Sequence, residues 1–181
     1  MLTPHVKQFV ESSCALFQNC NNGIALAPWS RGAGKTTAAV QVVKKFAESN
    51  KNAIISIETG NHMRGVNFLH QLRVELTTFK EHDANCVKLH NGTRIYVNNK
   101  GRNRCDLTVL DDVDEMKDDY IKDTLTLFKT RGARRLLATG RNVEIHFQEH
   151  FDILSDFDEQ IQIVREEVFG LAKHNIYIQK L

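Results

Sequence analysis

The sequence predicts an α/β domain in which a mostly parallel central sheet is flanked by helices. Short apolar runs alternate along the chain with segments whose apolar residues recur at helical spacing, and this alternation implies a parallel sheet covered on both faces. An Asn-Gly pair between two apolar runs adds an antiparallel hairpin. A length of 181 residues is that of one domain, so we expect a single domain over residues 1–181.

The first elements follow from local signals. Thr3 and Pro4 predict a helix start, because proline at the first helical position loses only an N–H that would be unpaired anyway. In order, the chain then predicts a buried strand at 24–27, a glycine-bearing loop at 29–37, a helix with Val40, Val43, Phe46 and Ala47 on one side, a strand at 53–57 and a helix over 63–79. The apolar face of this last helix is predicted to contain Val66, Leu69, Leu72 and Leu76.

The hairpin comes next. Residues 86–90 and 93–97 flank Asn91-Gly92, which is typical of a type I′ turn. A buried strand at 107–110, a helix containing Tyr120, Ile121, Leu125 and Phe128, a strand at 135–140 and a further strand at 160–164 complete the prediction. Because open parallel sheets bind ligands beyond the carboxyl ends of their strands, residues that follow strands are the first functional candidates.

Composition excludes several classes of protein. The apolar and charged fractions, 41% and 25%, are those of a globular protein rather than a disordered or fibrous one. The formal net charge of +2 is too small to indicate a nucleic acid or membrane partner, so any nucleic-acid surface must be a local patch. No apolar run reaches the roughly 18 residues of a membrane span. The four cysteines form no C-x-x-C pair and the first residues do not resemble a signal peptide, so we expect an intracellular protein with reduced thiols.

The loop after the first strand carries the sharpest signal. Gly34-Lys35-Thr36 lies between an apolar strand and an apolar-striped helix, which is the context of a phosphate-binding loop. Glycines let the backbone approach phosphate, and the N–H groups at the helix start point at negative charge. Lys35 would reach the β and γ phosphates, and Thr36 would offer its hydroxyl to Mg²⁺. Trp29 stands where the motif G-x-x-x-x-G-K-[ST] has its first glycine, and a chance G-K-T is the alternative.

Acidic residues follow the strand at 107–110. A carboxylate at the end of a strand beside a phosphate loop is where Mg²⁺ is held, so Asp111 is the predicted metal-side carboxylate. Asp112 would orient the attacking water, although it is one methylene shorter than the usual glutamate, and Glu115 is the alternative base. These acids could instead favour the start of the next helix through its dipole. Arg31, inside the loop, could neutralise charge on the γ phosphate or be a solvated arginine.

The order of these motifs resembles one known family, the N-terminal ATPase domain of the terminase large subunit, the DNA-packaging motor of tailed phages and herpesviruses. Ser30-Arg31-Gly32-Ala33-Gly34-Lys35-Thr36-Thr37 looks like its deviant Walker A, and residues 107–112 look like its Walker B. His90-Asn91-Gly92-Thr93-Arg94-Ile95 resembles the hairpin that the family carries before Walker B, and Leu137-Ala138-Thr139-Gly140-Arg141-Asn142 resembles its coupling motif, which usually continues into T-P. The resemblance covers about residues 2–151.

The resemblance implies an ASCE/RecA-like P-loop NTPase fold and hydrolysis of ATP with Mg²⁺ to drive double-stranded DNA. Arg31 would be the catalytic arginine, Lys35 and the rest of residues 30–37 the nucleotide-binding residues, Thr36 and Asp111 the Mg²⁺ ligands, Asp112 the catalytic acid and Thr139 the coupling residue. His5 or Gln8 lies nearest to the family's adenine-contacting region. The implied setting is a ring of subunits on a portal or other packaging proteins, inside the host cytoplasm or nucleus, with no membrane.

Two features depart from the family, the absence of its second half and the aspartate at position 112, and two other functions stay open. The family's second half, a two-metal nuclease, does not fit in this length, so we expect no nuclease activity from this chain and a nuclease domain or subunit elsewhere. Asp111-Asp112-Val113-Asp114 also resembles the D-E-A-D pattern of a helicase-like or other remodelling ATPase. A catalytically weakened ATP-binding regulatory module is a third alternative, because Asp112 replaces a glutamate.

Weaker signals concern DNA, zinc and the nucleotide base. Basic residues cluster before the strand at 107–110 and before the strand at 135–140, where they could touch DNA phosphates or form solvated loops: Lys100, Arg102 and Arg104, and Lys129, Arg131, Arg134 and Arg135. Arg102 or Arg104 could also serve a neighbouring subunit's nucleotide. His82, Cys86 and His90 would gather for zinc on a helix, but their surroundings favour a strand. Trp29 could stack on a base or be a structural apolar residue.

Overall fold

The computed structural model describes residues 1–76, 78–82, 85–99, 104–131, 134–150, 160–164 and 177–180. Their helices are α1 Pro4–Asn19, α2 Lys35–Ser49, α3 His62–Glu75, α4 Asp118–Lys129 and α5 Val143–Glu149, and a short 3-10 turn spans Val113–Glu115. Their strands are β1 Asn22–Ala27, β2 Ile54–Glu58, β3 Glu81–His82, β4 Cys86–Lys88, β5 Arg94–Val97, β6 Leu107–Leu110, β7 Arg134–Thr139, β8 Gln160–Ile163 and β9 Tyr177–Lys180.

These strands form one sheet in the order β3-β4-β5-β2-β6-β7-β1-β8-β9. The six strands from β5 to β8 pair in parallel, whereas β3, β4 and β9 add antiparallel pairs at the two edges. The predicted fold class, a mostly parallel sheet flanked by helices with an antiparallel hairpin before β6, is confirmed. The prediction lacked β3 and β9, which pair with β4 and β8 respectively.

The middle of the sheet sets the geometry of the candidate site. Strand β7 lies between β6 and β1, with Ala138 beside both Leu110 and Leu26. All three strands are parallel, so they end at the same edge of the sheet. The segments that follow β1, β6 and β7 are therefore neighbours in space although they are far apart along the chain.

Helices cover both faces of the sheet because the buried strands are apolar on both sides. In β1, Ala25 and Ala27 belong to the core formed with α1, α2 and α3, whereas Ile24 and Leu26 belong to the core formed with α4 and α5. This period of two follows from the alternation of side chains along a strand. Trp29, in the loop after β1, also belongs to the core formed with α1, α2 and α3, so this loop lies on that side of the sheet.

Helix α3 differs from its prediction in length and in its buried face. It ends at Glu75, because Leu76 takes an extended conformation with φ −75° and ψ 113°. Val66, predicted on the apolar face, is 42% exposed, whereas Gly65 is buried. A Cβ at Gly65 would lie only 2.4 Å from Nδ2 of Asn98, which follows β5. Because glycine has no side chain, this face of the helix can approach the end of β5 closely.

The hairpin forms where predicted, but the predicted type I′ turn is wrong. Strands β4 and β5 are joined through residues 89–93, with Leu89 N donating to Thr93 O at 2.9 Å. Of the Asn-Gly pair, only Gly92 has a positive φ, 88°. The amide of Asn91 instead donates to Ala47 O at 2.8 Å, and its Oδ1 accepts from Thr93 N at 3.0 Å. Asn91 thus fastens the hairpin to the end of α2.

Two observations bear on the expected environment of the chain. All four cysteines carry unpaired thiols. None of the helices in the described part of the chain combines the length and hydrophobicity that crossing a membrane requires.

Candidate active site

The loop between β1 and α2, residues 28–34, is called here the glycine loop. Gly32 and Gly34 have φ values of 79° and 92°, in the left-handed region that favours glycine. Gly34 is the N-cap of α2, and its carbonyl accepts the helical bond from Ala38 N at 2.9 Å. The first N–H groups of a helix have no intrahelical acceptor, so the start of α2 offers donors to an anion. Nucleotide binding by residues 30–37 stays a prediction.

Trp29 anchors the glycine loop to the protein core. Its ring is fully buried, its Nε1 donates to Val164 O at 2.7 Å, and its edge-on neighbours are His5 and Phe9 at 4.7 and 5.3 Å between ring centroids. The structural interpretation of Trp29 is therefore correct, because a fully buried ring cannot stack on a base. The residue that departs from the glycine motif fixes the loop to α1.

Two residues of α1 were candidates for the adenine contact. His5 is buried, and its Nε2 lies 2.7 Å from Ala33 O, so it contacts the backbone of the glycine loop from α1. Gln8, one turn further along α1, is half-buried. The contact of either residue with adenine stays a prediction.

Lys35 points into the glycine loop. Its Nζ donates to Ser30 O at 3.0 Å and to Trp29 O at 3.3 Å, and it lies 4.0 Å from Oδ1 of Asp112. The side chain is 9% exposed. The ammonium is therefore held where the loop carbonyls curve around it, between the start of α2 and the end of β6.

Asp111 lies at the centre of a cluster formed by the ends of three elements. Thr36 Oγ1 donates to its Oδ2 at 2.8 Å, and Thr139 Oγ1 donates to its Oδ1 at 3.0 Å. Burial raises the pKa of the Asp111 carboxyl, and the hydrogen bonds from Thr36 and Thr139 oppose that rise. A hydroxyl and a carboxylate side by side are oxygen ligands of the kind that Mg²⁺ takes, so Thr36 and Asp111 fit the predicted metal pair.

Asp112 has an unusual backbone conformation and two cationic neighbours. Its φ of 61° and ψ of 69° are left-handed, which aspartate tolerates better than most residues, and its N–H donates to Thr139 Oγ1 at 2.9 Å. Its Oδ2 lies 2.9 Å from Nη1 of Arg64, and Lys35 lies on its other side. Asp112 is thus the second acid that the structure brings to the glycine loop.

Arg64 is the residue that sequence reasoning missed. It also lies 3.6 Å from Oε2 of Glu115, so it joins the two candidate acids, of which Glu115 is the more exposed at 54% against 17% for Asp112. Arg64 lies in the first turn of α3, where Oδ1 of the N-cap Asn61 accepts from its backbone N–H. This turn comes shortly after β2, which lies beside β6, and the strand order that creates this neighbourhood leaves no local signal in the sequence.

Arg31 and Thr37 are exposed, and Ser30 is half-buried. Among the described residues, Arg31 forms no ion pair with Asp111, Asp112 or Glu115. The structure therefore brings Lys35, Thr36, Asp111, Asp112 and Thr139 together and leaves Arg31 at the tip of the glycine loop. Its catalytic role stays a prediction.

The basic clusters serve the fold in part. Arg131 is 3% exposed and donates to Thr108 Oγ1 at 2.6 Å, so it is neither a DNA contact nor a solvated arginine. Arg135 donates to the carbonyls of Phe17, Cys20 and Asp106. Arg104 is exposed, 3.7 Å from Asp106. Lys100 and Arg102 lie outside the described residues, as does the side chain of Arg134.

The zinc alternative needed His82, Cys86 and His90 on one helix. His82 instead belongs to strand β3, where it is the partner of Val87, and Cys86 begins β4. The expectation of a strand is confirmed, so the helical spacing that would gather the three ligands is absent from this part of the described chain.

Comparisons with known proteins agree with this architecture. No family model matches the sequence, and no curated protein sequence matches it significantly. The fold is similar to that of the large terminase from a thermophilic bacteriophage in complex with ATP-gamma-S, with a TM-score of 0.63 and 12% identity over 96% of this chain. A second crystal form of that terminase gives a TM-score of 0.62 at 11% identity over 96% of this chain, and its complex with ADP gives 0.60 at 11% over 92%.

The chain spans about half the length of these structures, 47% to 48%. At such low identity the similarity shows a common fold. The predicted resemblance to terminase ATPase domains is thereby confirmed at the level of the fold.

Proposed function

We propose that this chain is a P-loop ATPase that hydrolyses Mg·ATP and uses the cycle to move double-stranded DNA, as in a packaging motor. The observation that carries the ATPase assignment is the cluster in which Asp111 accepts hydrogen bonds from Thr36 and Thr139 beside Lys35. It brings the end of β6, the end of β7 and the start of α2 to one point. Similarity to terminase structures solved with ATP-gamma-S and ADP supports a nucleotide as the ligand.

Each residue of the cluster has a proposed task. The N–H groups at the start of α2 and the ammonium of Lys35 bind the β and γ phosphates. Thr36 and Asp111 hold Mg²⁺, which neutralises charge on the phosphates when it is bound. Asp112 orients the attacking water, with Glu115 as the alternative base. Arg31 stabilises charge that develops on the γ phosphate.

Thr139 is proposed to couple the site to movement. Its hydroxyl donates to Asp111 and accepts from the backbone N–H of Asp112, so one side chain of β7 contacts both acids that follow β6. A change in either acid during hydrolysis would shift these bonds and the segment after β7.

Phosphate release by purified chain with Mg·ATP tests the ATPase assignment. We expect Lys35→Ala to lower turnover by about 10²–10³. This is the loss typical when one hydrogen-bond donor to the charge that develops in the transition state is removed. Arg31→Ala is expected to lower it by at least as much, because arginines in this role contribute about 10³–10⁵. Lys51→Ala, an exposed lysine after α2, is the matched control. Unchanged turnover in both site variants would refute the assignment.

Nucleotide binding and the Asp112→Glu variant distinguish an active ATPase from a catalytically weakened regulatory module. Tight nucleotide binding without phosphate release would favour the module. In that case Asp112→Glu should raise turnover, because it restores the length of the usual acid. No gain would indicate that Glu115 or another residue is the base.

The DNA partner is tested with the same chain. A motor should show faster ATP hydrolysis with double-stranded DNA, in an oligomer whose mass is a multiple of the protomer's. The stimulation should weaken as salt rises, because contacts with DNA phosphates release counterions. ATP hydrolysis that single-stranded nucleic acid stimulates better would favour the helicase-like alternative.

A further inference from the structure

The segment after β6 and the segment after β7 meet again away from the glycine loop. Asp118 begins α4, and His146 and Glu149 lie on α5. One potential ligand atom from each of these three residues lies within 4.8 Å of the other two. We infer that these three side chains form a divalent cation site of the zinc class.

The imidazole of His146 is arranged like that of a metal ligand. Its Nδ1 is shielded from solvent and has no hydrogen-bond partner in the described part of the chain, and it lies 3.9 Å from Oε2 of Glu149. Its other nitrogen, Nε2, lies 3.8 Å from Oδ1 of Asp114. A ligating histidine usually directs its second nitrogen to a carboxylate, which fixes the ring and raises its basicity.

Asp118 has an orienting partner of its own. Nε2 of His150 lies 3.0 Å from Oδ1 of Asp118, and His150 is only 6% exposed. Asp114 is fixed in turn, because its carboxylate accepts from Asn142 N at 3.1 Å. Two of the three ligands, His146 and Asp118, are thus each oriented by a further side chain, Asp114 and His150 respectively.

The ligand types select the cation. Zn²⁺ binds imidazole nitrogen and carboxylate oxygen at about 2.0–2.2 Å, so ligand atoms of a tetrahedral site are about 3.4 Å apart. Asp118 and Glu149 are 65% and 56% exposed, so their side chains can rotate to close the remaining gap around a cation. The imidazole favours zinc-class cations over Mg²⁺ and Ca²⁺, which prefer oxygen ligands alone. Water would complete the coordination.

The location gives the site a consequence. Asp114 and Asp118 lie two and six residues after Asp112, and α5 begins four residues after Thr139. A cation on Asp118, His146 and Glu149 would tie these two segments together outside the phosphate cluster. The site therefore joins the elements that carry the proposed catalytic acid and coupling residue, without using any ligand of the glycine loop.

Zn²⁺ binding to the full chain without nucleotide tests the inference, by competition with a chromogenic chelator. We expect one Zn²⁺ per chain at this site, at least about tenfold weaker binding in His146→Ala, and weaker binding in Glu149→Gln, whose exposed side chain leaves the fold intact. Asp114→Asn keeps an acceptor for Asn142 N but loses the charge behind His146, so we expect an affinity loss of about 10- to 100-fold. Circular dichroism checks that each variant is folded.

Controls separate this site from other ligands of the chain. Cys86→Ser and His90→Ala should leave binding unchanged. With Co²⁺ in place of Zn²⁺, we expect the visible absorption of a four-coordinate nitrogen and oxygen site, lost in His146→Ala and without thiolate charge transfer. Binding that folded His146→Ala and Glu149→Gln variants retain in full, or a thiolate spectrum, would overturn the inference.

Discussion

At the scale of single residues, the ion pair between Arg64 and Asp112 sets the direction of the proposed catalytic carboxylate. The Nη1 to Oδ2 distance is 2.9 Å, whereas Lys35 Nζ is 4.0 Å from the other oxygen. Asp112 is shorter than the usual glutamate, so its carboxylate depends more on neighbours for its placement. Arg64 is therefore proposed as a positioning residue.

Replacing Arg64 tests this role. We expect Arg64→Ala to lower the rate of ATP hydrolysis by about 10- to 100-fold, because misplacement of a reacting group by about 1 Å costs on that order. Nucleotide affinity should change little, because Arg64 does not belong to the glycine loop. Steady-state phosphate release and nucleotide binding are measured side by side, with Arg94→Ala, an exposed arginine of β5, as control. An unchanged or faster rate in Arg64→Ala would contradict the role.

The raised pKa of Asp111 gives a second prediction at this scale. A raised pKa means that the folded chain holds the proton more tightly than the unfolded chain, so Asp111 contributes stability at low pH that is lost as pH rises through the folded pKa. In the proposed role of Asp111, Mg²⁺ would compete with that proton. We therefore expect Mg-dependent nucleotide affinity to weaken on acidification, starting at a higher pH than for an exposed aspartate.

This pH dependence is measured with a fluorescent ATP analogue over a pH series that runs from neutral into the acidic range. Asp111→Asn should bind more weakly and lose the part of the pH dependence that Asp111 causes. The difference between the two curves removes titration of the nucleotide itself. Parallel curves for the two proteins would show that Asp111 does not titrate with the metal.

Sequence reasoning found the residues around Asp111 that belong to contiguous motifs. It missed Arg64, which belongs to none of these motifs. Asp111 directly follows β6 and Thr139 ends β7, whereas Lys35 and Thr36 begin the helix that follows the glycine loop. Local patterns predict all of these elements. Arg64 meets Asp112 across 48 residues of sequence. Nothing local marks such a contact, because it depends on the placement of β2 beside β6.

At the scale of elements, Arg135 shows how a cationic side chain can serve packing. Its Nε donates to Phe17 O and Cys20 O at the end of α1, and its Nη2 to Oδ1 of Asn21 at 3.1 Å. Its guanidinium also lies 5.5 Å from the centre of the Phe46 ring of α2. The side chain thus joins β7 to both helices on one face of the sheet.

Removal of Arg135 should destabilise the whole fold. We expect Arg135→Ala to lower the free energy of unfolding by about 2–3 kcal/mol, because hydrogen bonds to charged groups contribute about 1.5–3 kcal/mol and several carbonyls lose their donor together. Urea denaturation should show a lower midpoint at an unchanged m value. Arg104→Ala removes a mostly exposed arginine and should change stability by no more than about 0.5 kcal/mol. If the two variants lower the free energy of unfolding by the same amount, Arg135 contributes no more to stability than an exposed arginine.

Element prediction was correct where patterns are local and failed where packing decides. The hairpin was found from its apolar runs, but Asn91 uses its amide on Ala47 instead of adopting the positive φ of a type I′ turn. Helix α3 was found from its period, but the choice between a face with Val66 and a face with Gly65 depends on how closely β5 approaches.

At the scale of the whole molecule, strand order creates the candidate site. The sequence predicts parallel strands but not the order β6-β7-β1, because pairing between strands far apart in the chain leaves no local signal. That order brings Lys35, Asp111 and Thr139 together and makes the glycine loop continuous with the core through Trp29. A ligand bound there contacts the ends of several central elements at once.

Nucleotide binding should therefore stabilise the entire fold. A ligand that binds only the folded state stabilises it by RT ln(1 + [L]/Kd), about 2.7 kcal/mol at a concentration of 100 Kd. We expect Mg²⁺ with a non-hydrolysable ATP analogue to raise the unfolding midpoint of the whole chain in a single transition, and Lys35→Ala to lose most of this rise. Lys51→Ala should retain it, which separates a site effect from loss of one positive charge on a chain of net charge +2. If nucleotide raises the unfolding midpoint of Lys35→Ala as much as that of the original chain, the nucleotide binds elsewhere. If unfolding occurs in two steps and nucleotide shifts only one of them, the glycine loop is not coupled to the rest of the sheet.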